Sequence, residues 1–349
     1  MNHPAAWRRL PRAQQRRIVA ALARRLRDDP PPDFQRWGVV SVGYGWRIRQ
    51  SRNRILRDVL VLSLSVRRKQ RASGLAVTRR IPRRWPVTAT VDGRRGRVHV
   101  PIDVCETLRR VRTHDGDPVP RLDVTSVGMP TARGAACVLL RDAGQRRWLL
   151  SCHHVLGNSN FNPVLEPDWA AAVLAEARDR SRVLAEEREF ASLQPGGYDC
   201  VDAGLCRVEP DALSPGDWST YPVAAATRQR FLNDATGTPR VCTPRNRVLD
   251  VRFLKLDYDF QMNYRSGASA FMREVALFEV APAQESPVGG DSGSPVIGRA
   301  GVWLGMHIGG GQLPMREGGA LVYRSVSVVL PSYVLLDRDT FGRAVSLST

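Results

Sequence analysis

From residue 121 onward the chain is broken into many short runs of Val, Leu, Ile and aromatic residues, separated by Gly, Pro, Asn and Asp. That punctuation favours an all-β barrel or sandwich, in which each short strand buries one face and turn formers reverse the chain. One stretch departs from it. Residues 169–193, WAAAVLAEARDRSRVLAEEREFASL, carry the Ala, Leu and Glu content of a helical insertion or a mobile loop. There is no internal repeat and no low-complexity tract.

The region before residue 121 reads differently. Ile18, Val19, Leu22, Ala23 and Leu26 recur at spacings of three and four and make one apolar stripe on an arginine-studded helix over residues 13–27. Two strand-like runs follow at residues 37–49 and 58–67, and PVTATV and GRVHVPIDV flank Asp92-Gly93 as a hairpin. This is the pattern of a small basic α+β domain. With 349 residues the chain exceeds what one core usually supports, about 250 to 300 residues, so two domains are expected. The turn-rich HDGDPVP at residues 114–120 marks the boundary, giving domains 1–118 and 119–349.

A composition of 43% hydrophobic and 25% charged residues excludes disordered and membrane-embedded classes. No stretch approaches the roughly 20 apolar residues that span a bilayer. The first thirty residues lack the apolar segment and cleavage site of a secretory signal. The six cysteines, Cys105, Cys137, Cys152, Cys200, Cys206 and Cys242, show no CxxC zinc spacing, so free thiols in a reducing cytoplasm are expected; pairing of Cys137 with Cys152 is the alternative. Of the 52 basic and 34 acidic residues, 28 and 9 lie in residues 1–120, a net charge of +19 against −1 for the remainder. Arginines 16, 17, 24, 25 and 27 on the helix and 79, 80, 83, 84, 94, 95 and 97 in the sheet region form a face for an anionic partner, a nucleic acid or an acidic protein. A solvated surface, or base bias in the coding sequence, accounts for the same arginines.

The strongest local signal is GGDSGSPV at residues 289–296. A serine flanked by glycines sits on a tight turn that exposes its hydroxyl, with the backbone NH groups of Gly290 and Ser292 placed to stabilise an oxyanion. An ordinary Gly/Ser loop has the same composition, so the partners decide. A serine nucleophile needs a general base, and WLLSCHHVLG at residues 148–157 runs a strand into a loop bearing His153 and His154. His154 is the preferred base and His153 the alternative. The third group is a buried carboxylate that orients the imidazole. In YDCVDAGL at residues 198–205, Asp202 precedes a small apolar run, whereas Asp199 follows Gly196-Gly197 in a turn and is the second choice.

HHVL, VDAGL and GGDSGSPV, in the order His, Asp, Ser with separations of 48 and 90 residues, resemble the signature segments of trypsin-like, chymotrypsin-fold serine peptidases. Within that clan the chain is similar to the bacterial and plant narrow-leaf type, through VSVGYGWRIRQ, VLVLSLSVRRK and PIDV ahead of the protease domain. The resemblance implies a mainly β fold, a chymotrypsin-like double β-barrel preceded by the small α+β domain. It implies a serine endopeptidase with His154, Asp202 and Ser292 as triad and Gly290 and Ser292 as oxyanion hole. It departs from the family at His153, where Asn or Ala is usual, and in the long insertion. Activation by a newly cut N-terminus pairing with Asp291 is not expected behind a whole preceding domain, and the sequence names no other partner for that carboxylate.

In this fold the segment GMHIGG at residues 305–310 lines the specificity pocket, which puts His307 and Gly309 against the substrate side chain, and Ser286 six residues before the serine. A pocket histidine donates to a carboxylate or an amide, so Glu or Gln before the cut is expected of a protein or peptide substrate. A basic preference would need an aspartate at position 286; Glu285 is adjacent. No metal or organic cofactor is called for. The competing reading is an anion-binding protein whose protease domain is only a scaffold.

Overall fold

The computed structural model describes the chain apart from residues 1–4, 52–53, 71–74, 92–93, 114–125, 130–131, 158–173, 178–179, 184–186, 195, 210–211, 219, 245–246, 265–266, 283 and 318–319. The boundary segment 114–120 and the start of the insertion at 163–173 thus lie outside the described residues. The fold is mainly β and divides into two compact units. One comprises Met1–Arg109, Leu254–Phe260 and Leu313–Tyr323; the other comprises Arg110–Phe253, Gln261–Gln312 and Arg324–Thr349.

In the first unit the helix Arg12–Asp28 buries Val19, Leu22, Ala23 and Leu26, the stripe its periodicity announces, against the strands Val39–Ser51 and Arg54–Val66. Those two strands pair antiparallel, and Arg54–Val66 pairs on its other side, in parallel, with Arg94–Glu106. Being central, this strand is buried on both faces over residues 59–66. Leu60, Leu62 and Leu64 fill one side, while Ser63 and Ser65 on the other belong to a polar cluster. Lys255 is the hub of that cluster: its ammonium reaches Ser65 Oγ at 2.7 Å and Asp257 at 2.8 Å. Burial alone would pull the Lys255 pKa down, but the Asp257 charge outweighs it and holds the ammonium protonated. The hairpin Arg84–Val91 with Arg94–Glu106 completes the sheet, its pairing starting at Val91 with Arg94.

Gly43 and Gly45 are required by close approach. They pair with Asp257 and Lys255. A Cβ on Gly43 would overlap the Leu256 carbonyl, and one on Gly45 the Leu254 carbonyl. The GYG of this strand is therefore a packing requirement.

The second unit contains an antiparallel sheet in the order Arg188–Phe190, Gly204–Val208, Arg147–Ser151, Leu139–Asp142, Val345–Leu347. It also contains Arg240–Cys242 paired with Pro295–Ile297, Pro295–Ile297 with residues 303–306, and Val275–Val280 with residues 326–329. Trp148, Trp303, Phe231 and Phe278 are its largest fully buried side chains. The helical expectation for residues 169–193 is corrected: Leu174–Ala177 and Arg180–Val183 form an antiparallel hairpin, and Leu174–Ala177 also pairs with Ser126–Met129. Ladder hydrogen bonds from a neighbouring strand outweigh a helix propensity worth only tenths of a kcal/mol per residue. All six cysteines are free, so Cys137 and Cys152 are not bridged.

Gly43→Ala should destabilise the protein by about 1–3 kcal/mol, because the strand carrying Leu256 must shift to admit one methyl group. Urea unfolding of the variant checks this, and an unchanged midpoint would contradict the close approach.

Candidate active site

The strand Arg147–Ser151 ends at Cys152, and the chain turns into the short helix His153–Leu156. Its neighbour Gly204–Val208 is in register with it, Gly204 opposite Ser151. That one pairing puts Asp202, two residues before Gly204, beside His154, three residues after Ser151. The approach of Asp202 is fixed from its other side too, since Cys200 N donates to Phe271 O at 3.0 Å and Arg273 N to Cys200 O at 2.8 Å.

The resulting contact is short and dry. His154 Nδ1 lies 2.6 Å from Asp202 Oδ2, with His154 3% and Asp202 0% exposed. The carboxylate is held at two further points: His154 N donates to Oδ1 at 3.2 Å, and the Tyr264 hydroxyl donates to Oδ2 at 3.1 Å. Burial by itself would raise the Asp202 pKa, but the neighbouring histidine charges and these hydrogen bonds lower it overall, keeping the carboxylate ionised. The Tyr264 hydroxyl, buried against that charge, has its own pKa pushed well up and stays a donor. Asp199, the second-choice acid, is an exposed turn residue with φ 56°.

His153 packs against Phe190. The ring centroids lie 4.4 Å apart with the planes tilted by 34°, and a Cβ on Gly157 would lie 2.9 Å from His153 Cδ2. Burial lowers its pKa, with the His154 charge adding to the effect and the Asp202 charge opposing it.

Ser292 is sewn into the same neighbourhood through its backbone. Ala135 N donates to Ser292 O at 2.6 Å, and Ser151 Oγ donates to Ala135 O at 2.7 Å. A Cβ on Gly134 would overlap the Ser292 carbonyl while lying 2.6 Å from Val155 Cγ2, so Gly134 is the gap through which the serine turn meets the histidine helix. Gly293, at φ 97°, adopts a backbone that L side chains rarely take, and its Cβ would strike Ala135 O. Ser292 Oγ donates to Ile308 O at 3.2 Å and is fully buried. Gly290, at φ 93°, precedes it.

Asp291 finds a partner that nothing in the sequence identified. Arg247 reaches its Oδ2 at 2.7 Å, Val288 N donates to the same oxygen at 2.8 Å, and the other arm of Arg247 pairs with Glu285 at 2.9 Å. Glu285 is thereby engaged as a counter-ion at the surface.

The residues expected to meet substrate also share a support. His307 is fully buried and its Nδ1 lies 2.7 Å from Ser327 Oγ. Ser286 is exposed and its hydroxyl lies 2.5 Å from that of Ser325. Ser325 and Ser327 are alternate residues of one strand and face the same side. Gly309 is buried two residues beyond His307. His307 is tied to the serine turn as well, its carbonyl accepting from Gly293 N at 2.7 Å.

Cys152, His154 and Asp202 bring three ligand-type atoms within 4.8 Å of one another. The donor set does not suit a metal as it stands. Asp202 already accepts a hydrogen bond on Oδ1 and two on Oδ2, which an ion would have to displace, and Cys152 Sγ donates weakly to His307 O at 3.7 Å.

No family model matches the sequence, and no curated protein matches it. Among solved structures the chain is similar to the crystal structure of a Nocardiopsis protease, NAPase, at 14% identity and a TM-score of 0.38, over 67% of this chain and 100% of that one. At that level the likeness decides neither fold nor activity. No helix among the described residues is long and apolar enough to cross a membrane.

The depressed pKa of His153 has a signed consequence. The unfolded side chain protonates near 6.5 while the folded one resists, so stability is full above that pH and falls as pH drops through it. His153→Phe, which keeps a ring against Phe190, removes this loss. Its melting temperature should gain on the wild type between pH 7.5 and 5.5, and parallel pH profiles would contradict the burial of the ring.

Proposed function

We propose that this chain is a serine endopeptidase of the chymotrypsin type, with a double β-barrel protease domain. The observation that carries the reading is the buried 2.6 Å contact between His154 Nδ1 and Asp202 Oδ2, in the unit that also holds the Ser292 turn. A carboxylate on Nδ1 fixes the ring and leaves Nε2 as the basic nitrogen. His154 then takes the proton of Ser292 as the hydroxyl attacks the scissile carbonyl. Asp202 stabilises the imidazolium without itself taking the proton. Backbone NH groups of Gly290 and Ser292 receive the oxyanion. Collapse of the tetrahedral intermediate passes the proton from His154 to the leaving amine and leaves an acyl-enzyme on Ser292. Water, deprotonated by His154, then releases the acyl group. No cofactor enters any of these steps.

Two groups support the machinery without touching substrate. Tyr264 is a positioning residue, since its hydrogen bond to Asp202 holds the acid in line with the ring. Arg247 neutralises Asp291 next to the nucleophile, so the oxyanion turn is organised without a new N-terminus. Because Ser292 is fully buried, the groups that cover it have to part before a peptide bond can enter.

For specificity, His307, Ser286 and Gly309 line the pocket for the residue before the cut. His307 bonds Ser327 through Nδ1, which fixes the ring on its strand, and an imidazole donor in the pocket suits a Glu carboxylate or a Gln amide. Glu285 is paired with Arg247, which argues against its attracting a basic side chain.

A fluorophosphonate probe should label the purified protein at Ser292, and Ser292→Ala should abolish both labelling and peptide cleavage, with a loss of roughly 10⁴-fold or more. Absence of labelling in the folded wild type would return the chain to a scaffold role. A peptide library read for the residue before the cut should be enriched in Glu and Gln, and a profile without that enrichment removes His307 from the pocket while leaving the triad intact.

A further inference from the structure

The arginine excess of the first unit is not spread evenly, and one part of it surrounds a concavity. A pocket of about 810 Å³ is lined by Trp7, Arg8, Arg47, Val59, Pro82, Arg83, Arg84, His99 and Pro101. All nine belong to Met1–Arg109. Four guanidinium groups and an imidazole converge on it, and none of the described lining residues is acidic. The side chains of Arg47, Arg83 and Arg84 make no ion pair or hydrogen bond with any described residue, in contrast to Arg247, Arg343 or Arg228.

The sheet assembles this arrangement. Arg84 lies opposite Pro101 and Pro86 opposite His99, so Arg84, His99 and Pro101 share one face. Arg47 falls at a register shift between the Trp46–Leu60 and Ile48–Arg57 pairs, the kind of irregularity that re-aims a side chain. The floor is apolar and rigid: Trp7 and Val59 are 2% and 5% exposed, and the Trp7 indole is anchored by donating to Leu60 O at 3.0 Å. Like charges gathered at one opening repel one another, and a bound anion with several oxygens relieves that repulsion while meeting the planar forks of arginine in pairs. The volume lies within the range of small-molecule sites.

We propose that this pocket binds a small soluble ligand carrying at least two phosphoryl groups, of the nucleoside di- or triphosphate class, with the phosphates on Arg47, Arg83, Arg84 and Arg8 and the organic part over Trp7 and Val59. A concave site with an apolar floor favours such a ligand over a polymer backbone, which a flat basic face serves. The site is separate from the proposed protease machinery and does not depend on it.

The test is titration of the full-length protein with inorganic pyrophosphate and with ATP, followed by calorimetry at two salt concentrations. Both should bind saturably at one site, more weakly at high salt. Arg83→Ala/Arg84→Ala, at exposed positions where folding is not at risk, should weaken both at least tenfold, and Arg47→Ala should do the same if it folds. Arg17→Ala/Arg25→Ala, exposed on the helix away from the pocket, should leave both unchanged. Absence of binding, equal losses in the helix variant, or binding only of a DNA duplex or of phosphatidylserine vesicles would overturn the proposal.

Discussion

A carboxylate with no exposed surface, Asp202, lies 2.6 Å from an imidazole that is nearly as dry, and the surroundings are arranged to make that tolerable. An ionised acid removed from water costs several kcal/mol unless its oxygens are occupied. Here the ring, a backbone NH and the Tyr264 hydroxyl occupy them. The strand register of Ser151 with Gly204 sets the approach, so the site is a consequence of sheet pairing and not of a flexible loop finding its place. Each hydrogen bond also stiffens the ring that would have to act as base.

The same logic recurs at Asp291, another carboxylate with no exposed surface. Arg247 and the Val288 NH share its Oδ2, which fixes the residue next to Ser292. It recurs again in the first unit, where Lys255 and Asp257 meet among Ser41, Ser63 and Ser65. Buried charge in this molecule is accompanied by a partner in every one of these clusters. The side chains of Arg47, Arg83 and Arg84 at the Trp7 pocket, with no ion pair to any described residue, are the contrast that makes the pocket notable.

Much of this was legible in residue order. The helix stripe Val19, Leu22, Ala23, Leu26 is a local period of three and four, and the strand-like runs at 37–49 and 58–67, with PVTATV and GRVHVPIDV, overlap the strands at 39–51, 54–66, 84–91 and 94–106. The choice of His154 over His153 and of Asp202 over Asp199 followed from what flanks each residue, and the geometry pairs the chosen two with each other. Other features carried no local signal. Tyr264 and Arg247 are ordinary residues in sequence, 62 and 44 positions from the carboxylates they hold. The strands at 174–177 and 180–183 are written in helix formers, and only pairing with residues 126–128 and with each other makes them β.

The amino-acid order by itself determined that the chain is mainly β, that its arginines gather toward one end, and that a Ser-Gly turn, a His-bearing strand end and an Asp before a small apolar run are available for acyl-transfer chemistry. Those are properties of neighbours along the chain, set by propensity, period and spacing. Which polar groups meet was decided only by the tertiary structure: Asp291 with Arg247, Tyr264 with Asp202, His307 with Ser327, and the late segment 254–260 with the first unit. The reason is that a buried charge or hydroxyl is satisfied by whatever the folded strands bring within about 3 Å of it, and that distance is a property of register and packing, which no single stretch of sequence contains.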